Sequence, residues 1–495
     1  MKFSGDKSLL RESDATRDWA AIICEQRDSK RAGFESGTDP SALARAYIDT
    51  CEWSSSFNCF TLLYWRGEWF RYRDGRWVGT DETTIRVDVA GFLKSYFDGR
   101  YVECERNVPE VTTARITNVL SNLKPLLLVP NEQEPPVWLG DGGPAQFMAF
   151  TNGLLNLTKL DDGEIDFMCS CPLWFSTTLF PYEFRADAKC PQWLRFISQV
   201  MEGDAKRIAL LQEVAGYLLT PDTSQQKFVV LEGEGDNGKS VFLDVIGALL
   251  GEENVSHVPL EQFGDRFSLA TTMGKLANIC AEVGDIDRVA EGIIKGFTSG
   301  DPMQFERKYM QPLKCRPTAR LIFATNNKPR FKDRSTGIWR RVLLVPFRYT
   351  VPPEEKDRQL ANKLKEELPG IFWWAVEGRL RLHDQGQFTV SEVCQGELDE
   401  YRRESNPARV FLEEHVTATP GKTLPARALY RAYVQWSEDG GYTPVLDAAQ
   451  FGKDVKRRFP RVDRKRVIDG GKREWHYVGI SFTEASRPSL MSKVS

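Results

Sequence analysis

KFVVLEGEGDNGKSVFLDVIGALLG, residues 227–251, is the stretch on which the fold turns. Residues 228–231 form a short apolar run of the kind a buried strand shows, and from Ser240 the apolar positions recur at helical spacing. Between the two, Gly233 through Ser240 matches GxxxxGK[ST], in the strand–loop–helix context that gives this pattern its chemistry. Glycines let such a loop wrap with its N–H groups pointing inward, and the helix N-terminus adds partial positive charge. Gly233, Gly235, Asp236, Asn237, Gly238, Lys239, Ser240 and Val241 are therefore expected to hold the phosphates of ATP. Lys239 would reach the β- and γ-phosphates and the Ser240 hydroxyl would ligate Mg2+.

Outward from this loop, residues 227–347 alternate short apolar runs with helical stretches, the pattern of a parallel sheet with crossover helices. A strand at 276–281 delivers Glu282 at its C-terminal edge, where ligands gather in open α/β sheets. Glu282 is the expected base for water and a second Mg2+ ligand; the residue before it is Ala281, so a paired acid would have to be Asp285. Another strand, 320–324, ends in Thr325-Asn326-Asn327, placing an amide where it can sense the γ-phosphate. A fourth, 342–347, follows GIWRR, so Arg340 and Arg341 enter it with little freedom, and an arginine so placed can stabilise charge on a transferring phosphoryl group.

The flanks differ in character. Residues 1–41 are polar and read as a loose leader, and 42–189 as a mixed α+β region. Within the latter, YWRGEWFRYRDGRW carries Arg66-Gly67 and Asp74-Gly75 turn signals, and its aromatics Tyr64, Trp65, Trp69, Tyr72 and Trp77 are expected to pack a hairpin rather than stack on bases. Residues 190–225 show two amphipathic helices, a collar ahead of the 226–350 ATPase domain; 351–400 is a helical lid or linker. In 401–495 two helices precede a short basic helix and a hairpin, the order of a winged helix. On a wheel, Phe451, Val455 and Phe459 share one face while Lys453, Lys456 and Arg457 share the other and are expected on DNA.

The 495 residues carry 66 Lys and Arg against 69 Asp and Glu, a net charge of −3, so any nucleic-acid surface must be local. Ten cysteines are scattered, and Cys169 with Cys171 has no second pair to complete a zinc site. No run reaches the roughly 18 apolar residues of a membrane helix and the start lacks a signal-peptide core, so the expectation is a cytoplasmic protein without a membrane partner.

Five ordered blocks, GEGDNGKS, AEVGD, IIKGFTSGDPMQFERKYMQP, ATNNKPRF and GIWRRVLLVPF, resemble the helicase half of phage and plasmid primase-helicases. These are superfamily 3 DNA helicases with a poxvirus-type N-terminal region. The resemblance covers about residues 42–482. It implies an AAA+-like P-loop ATPase core assembled as a homo-hexameric ring and moving on single-stranded DNA. In that family the third block leads into a hairpin whose basic tip enters the pore, which puts Arg307 and Lys308 at the DNA. Asn326 becomes the sensor amide and Arg341 the arginine finger, with Arg340 as fallback. The first hundred or so residues are too few for a primase domain, so a separate primase or polymerase is the expected partner. Two other readings stay open: a ring NTPase that loads or remodels another helicase, and a nucleotide-gated DNA-binding initiator.

Overall fold

The computed structural model describes residues 38–102, 108–139, 146–280, 291–326, 328, 336–442, 445–469 and 472–483. In the middle of the chain the strands are β1 (Phe228–Glu232), β2 (Val255–Ser256), β3 (Ala277–Cys280), β4 (Met303–Phe305), β5 (Leu313–Cys315), β6 (Arg320–Thr325) and β7 (Val342–Pro346). β4 and β5 make an antiparallel hairpin. The other five form one sheet in the order β2-β3-β6-β1-β7, with every neighbouring pair parallel.

Parallel strands are covered on both faces and so read as continuous apolar runs. Here the pleat divides each run between two cores. Val229 and Leu231 of β1 join Ile322 and Ala324 of β6 and Val345 of β7 on one side. Phe228 and Val230 join Leu321, Phe323, Val342 and Leu344 on the other. Each such side chain contributes about 1.5 to 3 kcal/mol when fully buried.

The first core is closed by α1 (Pro191–Val200), α2 (Ala205–Leu218), α3 (Lys239–Leu250) and, beyond α4 (Glu291–Ser299), by α5 (Leu368–Gln385). The expected collar and much of the lid thus share one hydrophobic core with the sheet. α2 and α5 approach closely because Gly216 and Gly378 face backbone: a Cβ on either would overlap the partner helix's main chain. Glu213, wholly buried on α2, accepts from Arg381 Nε at 2.7 Å and from Thr389 N at 2.7 Å, tying the two segments together. α4 lies over the second core, into which α6 (Glu392–Glu404) inserts Tyr401.

In the N-terminal region the first described helix is Pro40–Cys51, its start set by the Asp39 carboxylate, which caps it through Ala42 N at 2.8 Å. Strands Leu62–Trp65, Glu68–Arg73 and Arg76–Thr80 form an antiparallel meander. Its turns at Arg66-Gly67 and Asp74-Gly75 have positive φ at both residues, the geometry that matches strand twist. Trp69 and Trp77 are 2% and 1% exposed and pack as the pattern indicates, while Tyr64, Trp65 and Tyr72 are half-buried.

The C-terminal region has its own core. Its elements are α7 (Pro407–His415), β8 (Val416–Pro425), α8 (Ala426–Asp439), α9 (Ala448–Arg458), β9 (Asp463–Asp469) and β10 (Lys472–Phe482), with sheet order β8-β10-β9. β8 is not anticipated by the sequence pattern. Among the described residues no helix is long and apolar enough to cross a membrane.

Candidate functional site

Every strand of the sheet points its C-terminal end to one edge, and the loop after β1 occupies the middle of that edge. Gly238 has φ 89°, a left-handed backbone that ends the loop and starts α3 at Lys239, one residue before the sequence pattern places it. Asp236, at φ 59°, also sits in the left-handed region. A side chain at Gly238 would meet Val200 Cγ1 at 2.7 Å, so α1 backs the loop from behind. Ser240 lies exposed in the first turn of α3. The N–H groups of that turn have no partner further back in the helix, an arrangement that favours negative charge beside it.

Lys239 is 6% exposed. Its Nζ donates to the Gly233 carbonyl, to Glu234 O at 3.1 Å, to Asn237 Oδ1 at 3.1 Å and to Asn326 Oδ1 at 3.4 Å. Burial holds its pKa below the ordinary lysine value, with the Glu232 carboxylate opposing. Asn326 therefore stands where the sequence puts it, just past β6, against the loop's cation. The two are brought together by the register of β1 and β6, which pairs Glu232 with Thr325.

A second layer braces the loop and has no sequence signal. Asn237 Nδ2 donates to Phe347 O at 3.2 Å, Val351 N donates to Asp236 O at 2.9 Å, and Lys356 pairs with Asp236 at 2.7 Å. Beside it Glu397 of α6 binds Lys328 at 3.4 Å and also Arg348. Burial works against charge on Glu397, but the bonds from Arg348 and Lys328 outweigh it and hold the carboxyl below its usual range. Burial pushes the Glu232 carboxyl the other way, upward, despite Lys328 and Lys239 nearby. Glu282 and Asp285 lie outside the described residues; β3, which leads to them, is in place beside β6.

The two arginines before β7 part company. Arg341 is 6% exposed and turned inward, donating from Nη1 to Gly337 O and from Nη2 to Ser299 Oγ, each at 2.7 Å. Arg340 is exposed. Arg341, the expected finger, thus has both Nη groups engaged within its own fold, while its Nε has no acceptor among the described residues. Both residues also lie at the wrong edge for their own loop. Phe228 pairs with Val342, so the five residues of β1, at about 3.3 Å each, put roughly 17 Å between that edge and Gly233.

The hairpin expectation divides in the same way. Arg307 is withdrawn from the tip, its side chain 12% exposed and paired with Glu68 of the N-terminal meander at 3.1 Å. Lys308 is exposed, and Tyr309, absent from the sequence reading, is fully so at 103% with φ 61°. In the C-terminal region Phe451 and Val455 are buried and Lys453, Lys456 and Arg457 are exposed, as the wheel indicates. Arg457 is paired with Asp454 at 3.2 Å. On the β9–β10 hairpin, Arg464 and Arg466 each lie 5.1 Å from the ring of Trp475, itself 43% exposed.

Comparison with known proteins finds two family models. One is a family of unknown function, DUF5906, over residues 231–341, and the other is the RFX DNA-binding domain over residues 405–484. The chain is 27% identical over 193 residues to "Putative helicase L207/L206" of Acanthamoeba polyphaga mimivirus, covering 35% of this chain and 20% of that protein. It is 23% identical over 308 residues to "Putative helicase 022R" of Frog virus 3, covering 56% and 31% respectively. Mouse transcription factor RFX4 is 36% identical over 84 residues, 17% of this chain and 11% of that one. The chain thus spans a third or less of each of these relatives. Among solved structures, the apo C-terminal region of NrS-1 aligns with 89% of this chain and 100% of its own, at 12% identity and a TM-score of 0.49.

Proposed function

We propose that the chain is an ATP-dependent DNA helicase of the superfamily 3 type, with an AAA+-like P-loop core and a C-terminal winged helix that holds duplex DNA. One observation carries this reading: a GxxxxGKS loop, its lysine and an asparagine from the adjacent strand converge at the C-terminal edge of a parallel sheet ordered β2-β3-β6-β1-β7. The likeness of the middle of the chain to viral proteins described as helicases, and of its end to the RFX DNA-binding domain, supports it.

The residues suit ATP and Mg2+. Among the described residues Lys239 Nζ rests only on carbonyl and amide oxygens, a cation held at a helix start. Bound there, ATP with Mg2+ would supply a γ-phosphoryl group whose transfer to water, breaking the β–γ anhydride bond and leaving ADP and phosphate, releases free energy for movement. Lys239 would neutralise charge developing on the β- and γ-phosphates, and the Ser240 hydroxyl would hold the metal together with Glu282, which orients the water. Asn326, released from Lys239, would turn to the γ-phosphate. Because Arg340 lies about 17 Å of strand away from its own loop, it can act only on a neighbouring subunit's site, which calls for a ring, and a homo-hexamer is the form the resemblance implies. Lys308 and Tyr309 would meet single-stranded DNA in the pore, and Lys453, Lys456 and Arg457 the duplex.

Unwinding of a forked duplex is the test. The proposal expects strand separation that needs hydrolysable ATP and an ATPase rate that rises with single-stranded DNA. Turnover without DNA stimulation and without unwinding would point to a loader or remodeller instead, and negligible turnover to a nucleotide-gated initiator.

A further inference from the structure

A cavity of about 430 Å3 lies between the N-terminal meander and the base of the β4–β5 hairpin, and no step above uses it. Its wall includes Trp65, Arg66, Phe70, Arg307, Cys315 and Arg316. Five Lys and Arg side chains line it against three Glu, an excess of positive charge in a chain whose overall balance is slightly negative.

Four polar groups of the lining residues are buried without a partner among the described residues: Trp65 Nε1, Arg66 Nε, Arg307 Nε and the Thr318 hydroxyl. A buried donor left unpaired costs about 1 to 3 kcal/mol. The orphaned N–H groups lie just behind the cavity surface, and what the cavity itself offers an occupant is guanidinium charge, which favours acceptor oxygens. Trp65 and Phe70 add an aromatic surface, and the Arg66 guanidinium lies 4.4 Å from the Trp65 ring. Arg66 and Arg307 are each paired with a glutamate, Glu134 and Glu68, whose side chains are both 44% exposed. Pairs with such exposed partners are weak, so an anion can replace the carboxylates at little cost.

Donors, cations and an aromatic wall in a space of this size fit a nucleoside phosphate. Its position names the source. Tyr309, at the exposed tip, is two residues from Arg307, at most about 7 Å along extended chain, so a strand touching Lys308 and Tyr309 passes the cavity mouth.

We propose that this cavity is a second nucleic-acid site, taking one nucleotide unit of the single strand that runs along the hairpin, with its phosphate at Arg66 and Arg307 and its base against Trp65. This rests on the reading of the chain as a DNA helicase. On binding, the phosphate would displace Glu68 and Glu134, coupling the N-terminal region to the strand held by the ATPase domain.

Photo-cross-linking of the full chain to an oligo-dT carrying 5-iodouracil at one position tests this on the wild-type protein. Cross-links are expected at the tip, residues 308–310, and also in residues 65–79 or 313–318. In parallel, Arg66→Gln should weaken oligo-dT binding about tenfold and reduce the log–log salt slope by about 0.7, the value for one single-strand phosphate. Cross-links confined to the tip overturn the cavity and leave the helicase reading standing, whereas a chain that binds no single-stranded DNA fails both. If 5-iodo-dUMP labels the cavity residues and the oligonucleotide does not, the same chemistry is served by free nucleotide and the strand assignment is overturned. Should Arg66→Gln not fold, the wild-type cross-link map decides by itself.

Discussion

Arg340 and Arg341 are adjacent and chemically identical, yet their substitution by alanine should have opposite consequences. Removing Arg341 leaves Gly337 O and Ser299 Oγ without their donor in a buried setting, where a bond to a charged group is worth about 1.5 to 3 kcal/mol. Part of that is recovered, because burial and the neighbouring Arg340 both work against the Arg341 charge. A net loss of roughly 2 kcal/mol remains, a fall in Tm of about 4 to 8 °C for a domain of this size. Arg340→Ala touches an exposed side chain and should stay within about 0.5 kcal/mol of wild type. Its effect should fall on turnover instead, about 10³-fold if it serves as the finger. Thermal unfolding and steady-state ATPase on the two variants separate the roles. Mixing Arg340→Ala with Lys239→Ala adds a test of action between subunits: the first keeps an intact loop and the second still lends an arginine, so co-assembled mixtures should regain activity. An Arg341→Ala protein that melts like wild type but has lost turnover, beside an Arg340→Ala protein that hydrolyses normally, would refute the reasoning and restore Arg341 as the finger.

Lys239→Ala should lower ATPase and unwinding together by at least 100-fold, about 3 kcal/mol of lost charge stabilisation; retention of a tenth of the rate would remove Lys239 from the chemistry. Since burial lowers its pKa, Lys239 in the free enzyme should lose its charge at a pH below the ordinary lysine range. The alkaline limb of kcat/KM should therefore lie below that of kcat, where bound phosphates favour the charged form; coincident limbs would contradict this. Lys308→Glu should abolish unwinding and spare duplex binding. Lys456→Glu with Arg457→Glu should do the reverse, reducing the duplex salt slope by about 0.9 for each phosphate no longer neutralised, and normal unwinding by Lys308→Glu would dismiss the hairpin. Glu213→Ala removes the acceptor of Arg381 Nε and Thr389 N, and since Arg381 is 31% exposed and keeps its bonds to Ala209 O and Gln212 Oε1, it should cost about 1.5 to 3 kcal/mol by calorimetry, an effect on folding and not on nucleotide affinity at low temperature.

What the sequence discloses here is what a short window can hold. The loop is legible because strand, turn and helix start lie within 25 residues and each step has its own local cause, from the apolar run of β1 to the left-handed Gly238. The meander is legible for the same reason, since Arg66-Gly67 and Asp74-Gly75 set their own turns. β8 escapes because VTATPGKTLP carries the Pro and Gly that normally mark a loop; it pairs with β10 through a register shift between Ala418 and Thr423, the kind of irregularity that lets such residues into a strand. Side-chain availability is harder still. Arg307 and Lys308 are equivalent in any local reading of ERKY, and what separates them is Glu68, 239 residues away, which engages one and not the other. Arg341 is withdrawn by Ser299, 42 residues back, and Asp236 is braced by Lys356, 120 residues on. Local pattern thus fixes which residue types arrive at an edge, while distant partners decide which of two neighbouring cations stays exposed. The cavity between meander and hairpin belongs to this second class: its cations come from segments some 240 residues apart, and although the hairpin's resemblance puts Arg307 at DNA, nothing local in either segment sets Arg66 across from it.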